Sequence, residues 1–203
     1  MIDNKSDKLI HISYNKIKKL YSTRNEQDDS DKPVALWYSN GLNWLNFFSE
    51  FEDEIKNCKY MYELKLKYTK FSTPDPKKIL RIKKESTFDK FTFKYGWVKK
   101  NEFVPVAKTN TTNGTDIEIY HVNIDWKRVV DDYGGIEIIP LIKSRMSTED
   151  TRVIKKYNEK FKFVKRVNKK KIYIYFWQGS FSVGSGCIWD PYAVKKIKRI
   201  YEI

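Results

Sequence analysis

The sequence predicts an α+β fold. Strand-like and helix-like segments follow one another in mixed order, several strands are consecutive, and strict βαβ alternation is absent. Neither GxGxxG nor GxxxxGK[ST] occurs, so the standard phosphate-cradling loops of parallel α/β folds are missing. The chain has 203 residues, about one domain, and no polar stretch is long enough to be a domain linker, so residues 1–203 read as a single domain. Apolar residues make up 40% and aromatics 16%, which excludes a disordered chain.

Taken in order, the strand-like runs are Lys8–Ser13, Val34–Ser39, Tyr60–Thr69, Ile117–Val122, Ile136–Ile142 and Ile172–Trp177. The third alternates Leu64, Leu66 and Tyr68 with Glu63, Lys65 and Lys67, the period of a half-buried strand. The last is β-branched and aromatic. A short strand over Phe161–Val164 is expected to turn into it through a basic loop.

Helix-like runs are fewer. Leu42–Ile55 places Leu45, Phe48, Phe51 and Ile55 at helical spacing, with Ser39 or Asn40 as cap. Asp75-Pro76 and Asp190-Pro191 each set a capping carboxylate before a proline, which predicts short helices over 76–84 and 191–201. Ser147 with Asp150 three residues later predicts another over 148–160. Tyr14–Tyr21 is a further helical candidate.

Composition narrows the chemistry. Two cysteines, Cys58 and Cys187, are too few for a disulfide framework, and a reducing intracellular setting, cytoplasmic or nuclear, is expected. With only His11 and His121 beside them, a Cys/His zinc site is not expected. No run reaches the roughly 18 apolar residues of a membrane span, and the mixed-charge start of the chain does not resemble a secretory signal. The net charge is +14 and uneven: residues 1–60 carry −1, residues 61–142 carry +4 and residues 143–203 carry +11. That excess fits an anionic partner, a nucleic acid or an acidic protein. It also fits an AT-rich genome that writes Lys, Asn, Ile and Tyr throughout.

Four local patterns are candidates for chemistry. His11 lies between Ile10 and Ile12 in a strand, where a polar ring needs hydrogen-bond partners and by itself reads as a structural imidazole. Tyr38 and Ser39 end a strand at the Asn40-Gly41 turn, placed to line a cleft or to serve as ordinary strand side chains. Glu137 stands alone between two isoleucines after Gly134-Gly135, and Glu118 has the same local pattern, so the pattern does not choose between a working carboxylate and simple alternation onto a wet face. The Gly/Ser segment between Trp177 and Trp189 contains Cys187, which reads as a small buried side chain because no second histidine is placed to act as its base.

The order of these pieces, His11 in Leu9-Ile10-His11-Ile12-Ser13, Tyr38 in Leu36-Trp37-Tyr38-Ser39 and Glu137 in Gly135-Ile136-Glu137-Ile138, resembles the His-Tyr-Glu layout of ADP-ribosyltransferases of the diphtheria-toxin and poly(ADP-ribose) polymerase type. The similarity covers roughly residues 8–55 and 130–142, and Ile12 stands where the family usually has glycine. The resemblance implies a split, mixed and antiparallel β-sandwich with flanking helices. It also implies NAD as substrate, without a metal. His11 and Ser13 would hold the ribose and amide region, and Tyr38, beside Ser39, would stack on the nicotinamide. Glu137 would accept the nicotinamide-ribose 2′-hydroxyl, stabilising the positive charge that develops as the glycosidic bond breaks. The acceptor would be a protein or a nucleic acid, with hydrolysis of NAD as the variant outcome.

Two further readings stand beside this one. A non-enzymatic basic nucleic-acid-binding domain is expected to show exposed aromatics on the same face as lysines. A catalytically inactive transferase-fold interaction module is expected to show a closed cleft.

Overall fold

The computed structural model describes residues 8–28, 30–41, 43, 58–100, 117–165, 171–181 and 183–202. The fold is α+β and mostly sheet. In chain order the strands are β1 (Leu9–Ser13), β2 (Leu36–Asn40), β3 (Tyr60–Leu66), β4 (Tyr68–Thr69), β5 (Asp75–Arg81), β6 (Gly96–Lys100), β7 (Ile117–Ile124), β8 (Tyr133–Ile138), β9 (Ser147–Thr148), β10 (Lys171–Phe176), β11 (Ser185–Ile188) and β12 (Val194–Glu202). The helices that lie wholly within the described residues are α1 (Glu85–Tyr95), α2 (Trp126–Asp132) and α3 (Thr151–Phe161). None of them is long and apolar enough to cross a membrane.

Eight strands form one mixed sheet in the order β12-β3-β1-β2-β11-β8-β5-β4. Its β4–β5 and β5–β8 pairs are parallel and the others antiparallel. The other four form a second mixed sheet, β6-β7-β10-β9, with β7 and β10 parallel at its centre. Because strand side chains alternate, the large sheet has two working faces. One carries Leu80, Ile136, Ile138 and Cys187 into the main core, shared with the small sheet and helices α1 and α3. The other buries a smaller cluster of Tyr38, Leu64, Ile79, Ile188 and Ala193.

Several sequence expectations meet a different outcome. Residues 76–84 are not a helix: Asp75–Arg81 is β5, and helix α1 starts after Lys84. The Asp75 carboxylate does accept the Lys77 amide, as a cap would, but here it shapes the irregular start of a strand. Residues 191–201 are not a helix either. Asp190 caps only the short 3-10 turn Pro191–Ala193, and β12 follows. In β12 the half-buried Val194, Ile197 and Ile200 recur every third residue, with register shifts after Val194 and after Arg199. A bulge adds a residue and turns a period of two locally into three.

The long run Tyr60–Thr69 is two strands, divided at Lys67 where its amide turns to the Ala193 carbonyl. The strand expected at 136–142 is Tyr133–Ile138 and stops at Pro140, which has no amide to donate to a ladder. Asp150, not Ser147, caps α3. Phe161 ends α3, so no strand occupies Phe161–Val164, and Asn158 ties off the Val164 backbone instead. Residues 14–21 are not helical, and the Ile17 amide donates to the Tyr62 hydroxyl. The helix expected over Leu42–Ile55 falls, except at Asn43, outside the described residues.

Candidate functional site

Strand register brings one row of side chains across the small-core face of the large sheet. Gly186 on β11 lies opposite Tyr38 on β2 on one side and opposite Glu137 on β8 on the other. Arg81 on β5 is the next partner of Glu137. Gly186 makes the row possible. A Cβ there would sit 2.4 Å from both Cζ and the hydroxyl oxygen of Tyr38, so the ring crosses the strand where a side chain would stand.

Crossing Gly186 carries the Tyr38 hydroxyl to Glu137, where it donates to Oε2 at 3.0 Å. The Tyr68 hydroxyl donates to the same oxygen at 2.8 Å. Arg81 donates from Nε to Oε1 at 2.5 Å, with its guanidinium 3.6 Å from the centre of the Tyr68 ring. Glu137 is 2% exposed and Tyr38 is fully buried. Burial pushes the Tyr38 phenol well above its ordinary range, and the neighbouring Glu137 charge adds to this; Tyr68 is raised for the same two reasons. Burial alone would lower Arg81, but Glu137 beside it outweighs that and holds the guanidinium firmly protonated.

The five residues singled out in the sequence separate as follows. Tyr38 and Glu137 meet. His11 lies on their face of the sheet, since antiparallel β1 pairs Leu9 with Asn40, His11 is two residues after Leu9 and Tyr38 two residues before Asn40. It is three strand spacings of about 4.8 Å from β8, roughly 14 Å away. Its Nδ1 is 2.6 Å from the Trp37 carbonyl, which only accepts, so Nδ1 carries the proton. Burial lowers its pKa, so the ring is neutral at neutral pH, although the Trp37 bond opposes this in part. His11 opens on a hollow beside residues 16–21, whereas Tyr68 and Arg81 open on a separate groove. Ser39 faces the other side of the sheet, fully buried, with its hydroxyl donating to the Gly184 carbonyl at 2.5 Å. Ser13 ends β1, and its hydroxyl donates to the Asn15 carbonyl at 2.7 Å.

Neither glutamate lies on a wet face. Glu118 sits at the border of the main core, paired with Lys100 at 2.9 Å and accepting from Tyr120 at 2.9 Å. Cys187 is fully buried, and that burial pushes its thiol far above the reactive range. Among the described residues no cluster of three or more His, Cys, Asp or Glu is placed to hold a metal ion.

The arrangement imposes one chemical condition. Both oxygens of Glu137 are engaged, and Tyr38 is sealed in the core. A sugar hydroxyl therefore reaches this carboxylate only by displacing Tyr68 or Arg81, the two partners that face the open groove.

A second surface lies on the small sheet. One of its faces buries Val122, Ile124, Ile172 and Ile174; the other turns outward. On that outer face Lys99 lies opposite His121, and His121 opposite Tyr175. The His121 and Tyr175 rings stack at 5.4 Å with their planes 18° apart, on the two central strands. Trp97 stands on the neighbouring strand, opposite Asn123. Trp97 is 41% and Tyr175 43% exposed. Lys171 lies at the start of β10, over the Tyr173 ring at 5.2 Å.

Sequence reasoning missed Arg81, Tyr68, Trp97 and the pairing of His121 with Tyr175. A signal for Arg81 existed: it is flanked by Leu80 and Ile82 as Glu137 is by Ile136 and Ile138, two lone opposite charges in apolar strands. Trp97 had none, because whether a strand aromatic faces core or water depends on what covers the sheet. The chain matches no family model, no curated protein and no solved structure.

Proposed function

We propose that the protein is a nucleic-acid-binding domain that lays a single strand across the outer face of the four-stranded sheet. The observation that carries this reading is the exposed ring platform of Trp97 and the stacked His121–Tyr175 pair, with Lys99 in the same row and Lys171 on the same face. Large rings left half in water do nothing for the core. Trp97 on the edge strand β6 and His121 and Tyr175 on the central strands β7 and β10 offer π-faces to unpaired bases, and each stacked base contributes about 1–3 kcal/mol. Cations around them supply the phosphate contacts, and the basic run Lys165-Arg166-Val167-Asn168-Lys169-Lys170-Lys171 leads directly into β10. The overall charge of +14 acts in the same direction at longer range.

The test is a fluorescence-anisotropy titration with a labelled oligothymidylate. Binding at low salt is expected, and affinity should fall by about 20-fold between roughly 50 and 200 mM salt if three phosphates are contacted. Trp97→Ala and Tyr175→Ala are each expected to weaken binding by roughly 5- to 150-fold without changing the melting temperature. No binding by the parent protein at low salt would remove the proposal, as would parent-like affinity in both variants.

A second reading, NAD-dependent ADP-ribosyl transfer or NAD hydrolysis at Glu137, is supported by the meeting of Tyr38 and Glu137 at 3.0 Å across 99 residues of chain. It requires Tyr68 or Arg81 to yield its bond so that the carboxylate can face the ribose. Nicotinamide release from NAD is its assay. The parent protein is expected to turn over NAD and Glu118→Gln to match it. Glu137→Gln, with folding checked by circular dichroism, is expected to fall by about 100-fold or more, the scale of a lost transition-state charge contact. An inert parent, or equal turnover in Glu137→Gln, overturns this reading.

A further inference from the structure

The open groove beside Tyr68 and Arg81 has a volume of about 740 Å³, within the range of small-ligand sites. It lies between the β4–β5 edge of the large sheet and the first turns of α1. Its cationic lining is Lys70, Arg81, Lys83, Lys84 and Lys90, and among the described residues no carboxylate lines it. Some lysines elsewhere are neutralised by acidic partners, as Lys94 is by Asp132, Lys156 by Asp89 and Lys78 by Asp75. Among the described residues, Lys70, Lys83, Lys84 and Lys90 take part in no ion pair. Four unpaired ammonium groups around one hollow repel each other, and an anion bound among them relieves that repulsion.

Two further features favour phosphate over a diffuse anion. Arg81 is fixed from behind, its Nε held by Glu137 and its guanidinium plane against the Tyr68 ring, so little freedom is lost when it meets a ligand. The start of α1 also lies at the groove and has no side-chain cap, because Lys84 stands at the cap position. Glu85, the acid of its first turn, is bonded to Ser144. The helix N-terminus thus adds its partial positive charge without a carboxylate closing it.

We infer that this groove binds a linear polyphosphate, the phosphate chain of a nucleoside triphosphate or inorganic tripolyphosphate, at a site distinct from the ring platform. Several cations around a compact hollow match three linked phosphates better than they match the spaced phosphates of a nucleic-acid strand.

The test is isothermal titration of the full chain with tripolyphosphate and, separately, with ATP and UTP. Tripolyphosphate is expected to bind, with Lys83→Gln/Lys84→Gln weakening it by roughly tenfold or more, two charge-assisted contacts being lost. These side chains are exposed, so the variant is expected to melt with the parent. Trp97→Ala should leave tripolyphosphate binding unchanged while it weakens the oligonucleotide, which keeps this site separate from the platform. Tighter binding of ATP than of tripolyphosphate assigns the site to a nucleotide, and equal binding to the phosphate chain alone; either supports the inference. Absence of tripolyphosphate binding by the parent overturns it. So does parent-like affinity in the double variant, or an equal loss of oligonucleotide and tripolyphosphate binding there, which would make the groove part of a nucleic-acid track.

Discussion

Asp89→Ala is expected to destabilise the protein by about 3–5 kcal/mol, the scale of breaking a buried ion pair by removing one partner. Asp89 lies in α1 and is 2% exposed. Its Oδ1 accepts from Arg145 Nε at 2.7 Å and from the Tyr157 hydroxyl at 2.6 Å; its Oδ2 accepts from Arg145 Nη2 at 3.0 Å and from Lys156 Nζ at 2.5 Å. One carboxylate thus ties α1 to the turn at Arg145 and to α3. Without it the Arg145 guanidinium, itself 5% exposed, keeps the Ser144 carbonyl at 3.1 Å but, among the described residues, no carboxylate nearer than the solvent-facing Glu85 at 3.5 Å. Urea unfolding at neutral pH measures the loss, and a change below about 1 kcal/mol, the scale of an exposed pair, would contradict the account.

The same group sets a pH dependence. Burial alone would raise the Asp89 pKa, but hydrogen bonds from Arg145, Lys156 and Tyr157 outweigh it and lower the pKa to about 2. A depressed carboxyl pKa contributes stability that is complete above the unfolded value near 4 and is lost as pH falls through about 2. The difference corresponds to about 2 kcal/mol. Parent stability should therefore decline steeply between about pH 4 and pH 2. Asp89→Asn, which keeps the shape and has no charge to titrate, should decline less over that interval.

Gly186→Ala is the second large expected effect, a loss of about 3 kcal/mol, the upper end of the cost of overpacking a core. The added methyl meets Tyr38 at 2.4 Å, and the ring is fully buried. Moving it also pulls the phenol away from Glu137. Gly179→Ala is the control, since nothing lies within 4 Å of a Cβ at that position. The cost should be specific to the ring. In a Tyr38→Leu background, Gly186→Ala should lose most of its effect, and a double-mutant cycle measures this coupling. Equal costs in both backgrounds would mean that Gly186 is needed for something other than the passage of Tyr38.

Much of the strand content was legible because it rests on local alternation. Leu9–Ser13, Tyr60–Leu66, Ile117–Ile124 and Lys171–Phe176 all stand close to where periodicity puts them. The errors arose where a local signal had two structural uses. A carboxylate accepting an amide two residues on serves the start of a strand at Asp75 and a 3-10 turn at Asp190 as well as it serves a helix. Helix α1 carries Phe88, Phe91 and Tyr95 at helical spacing, yet its start was hidden because Lys84 offers no capping oxygen.

By itself the sequence determined the α+β class, the positions of strands such as β1, β3, β7 and β10, and the surplus of positive charge, since each depends on neighbours along the chain or on simple sums. Only the tertiary structure decided that Glu137 is enclosed by Tyr38, Tyr68 and Arg81, that Ser39 faces away from Tyr38's partners, and that Trp97 and Tyr175 face water while Tyr120 and Phe176 do not. The physical reason is that strand order and register are set by pairings between distant segments, and a shift of one residue exchanges the two faces of a strand. Lone charges such as Glu137 and Arg81 are visible in one dimension. Their meeting depends on β5 and β8 lying side by side.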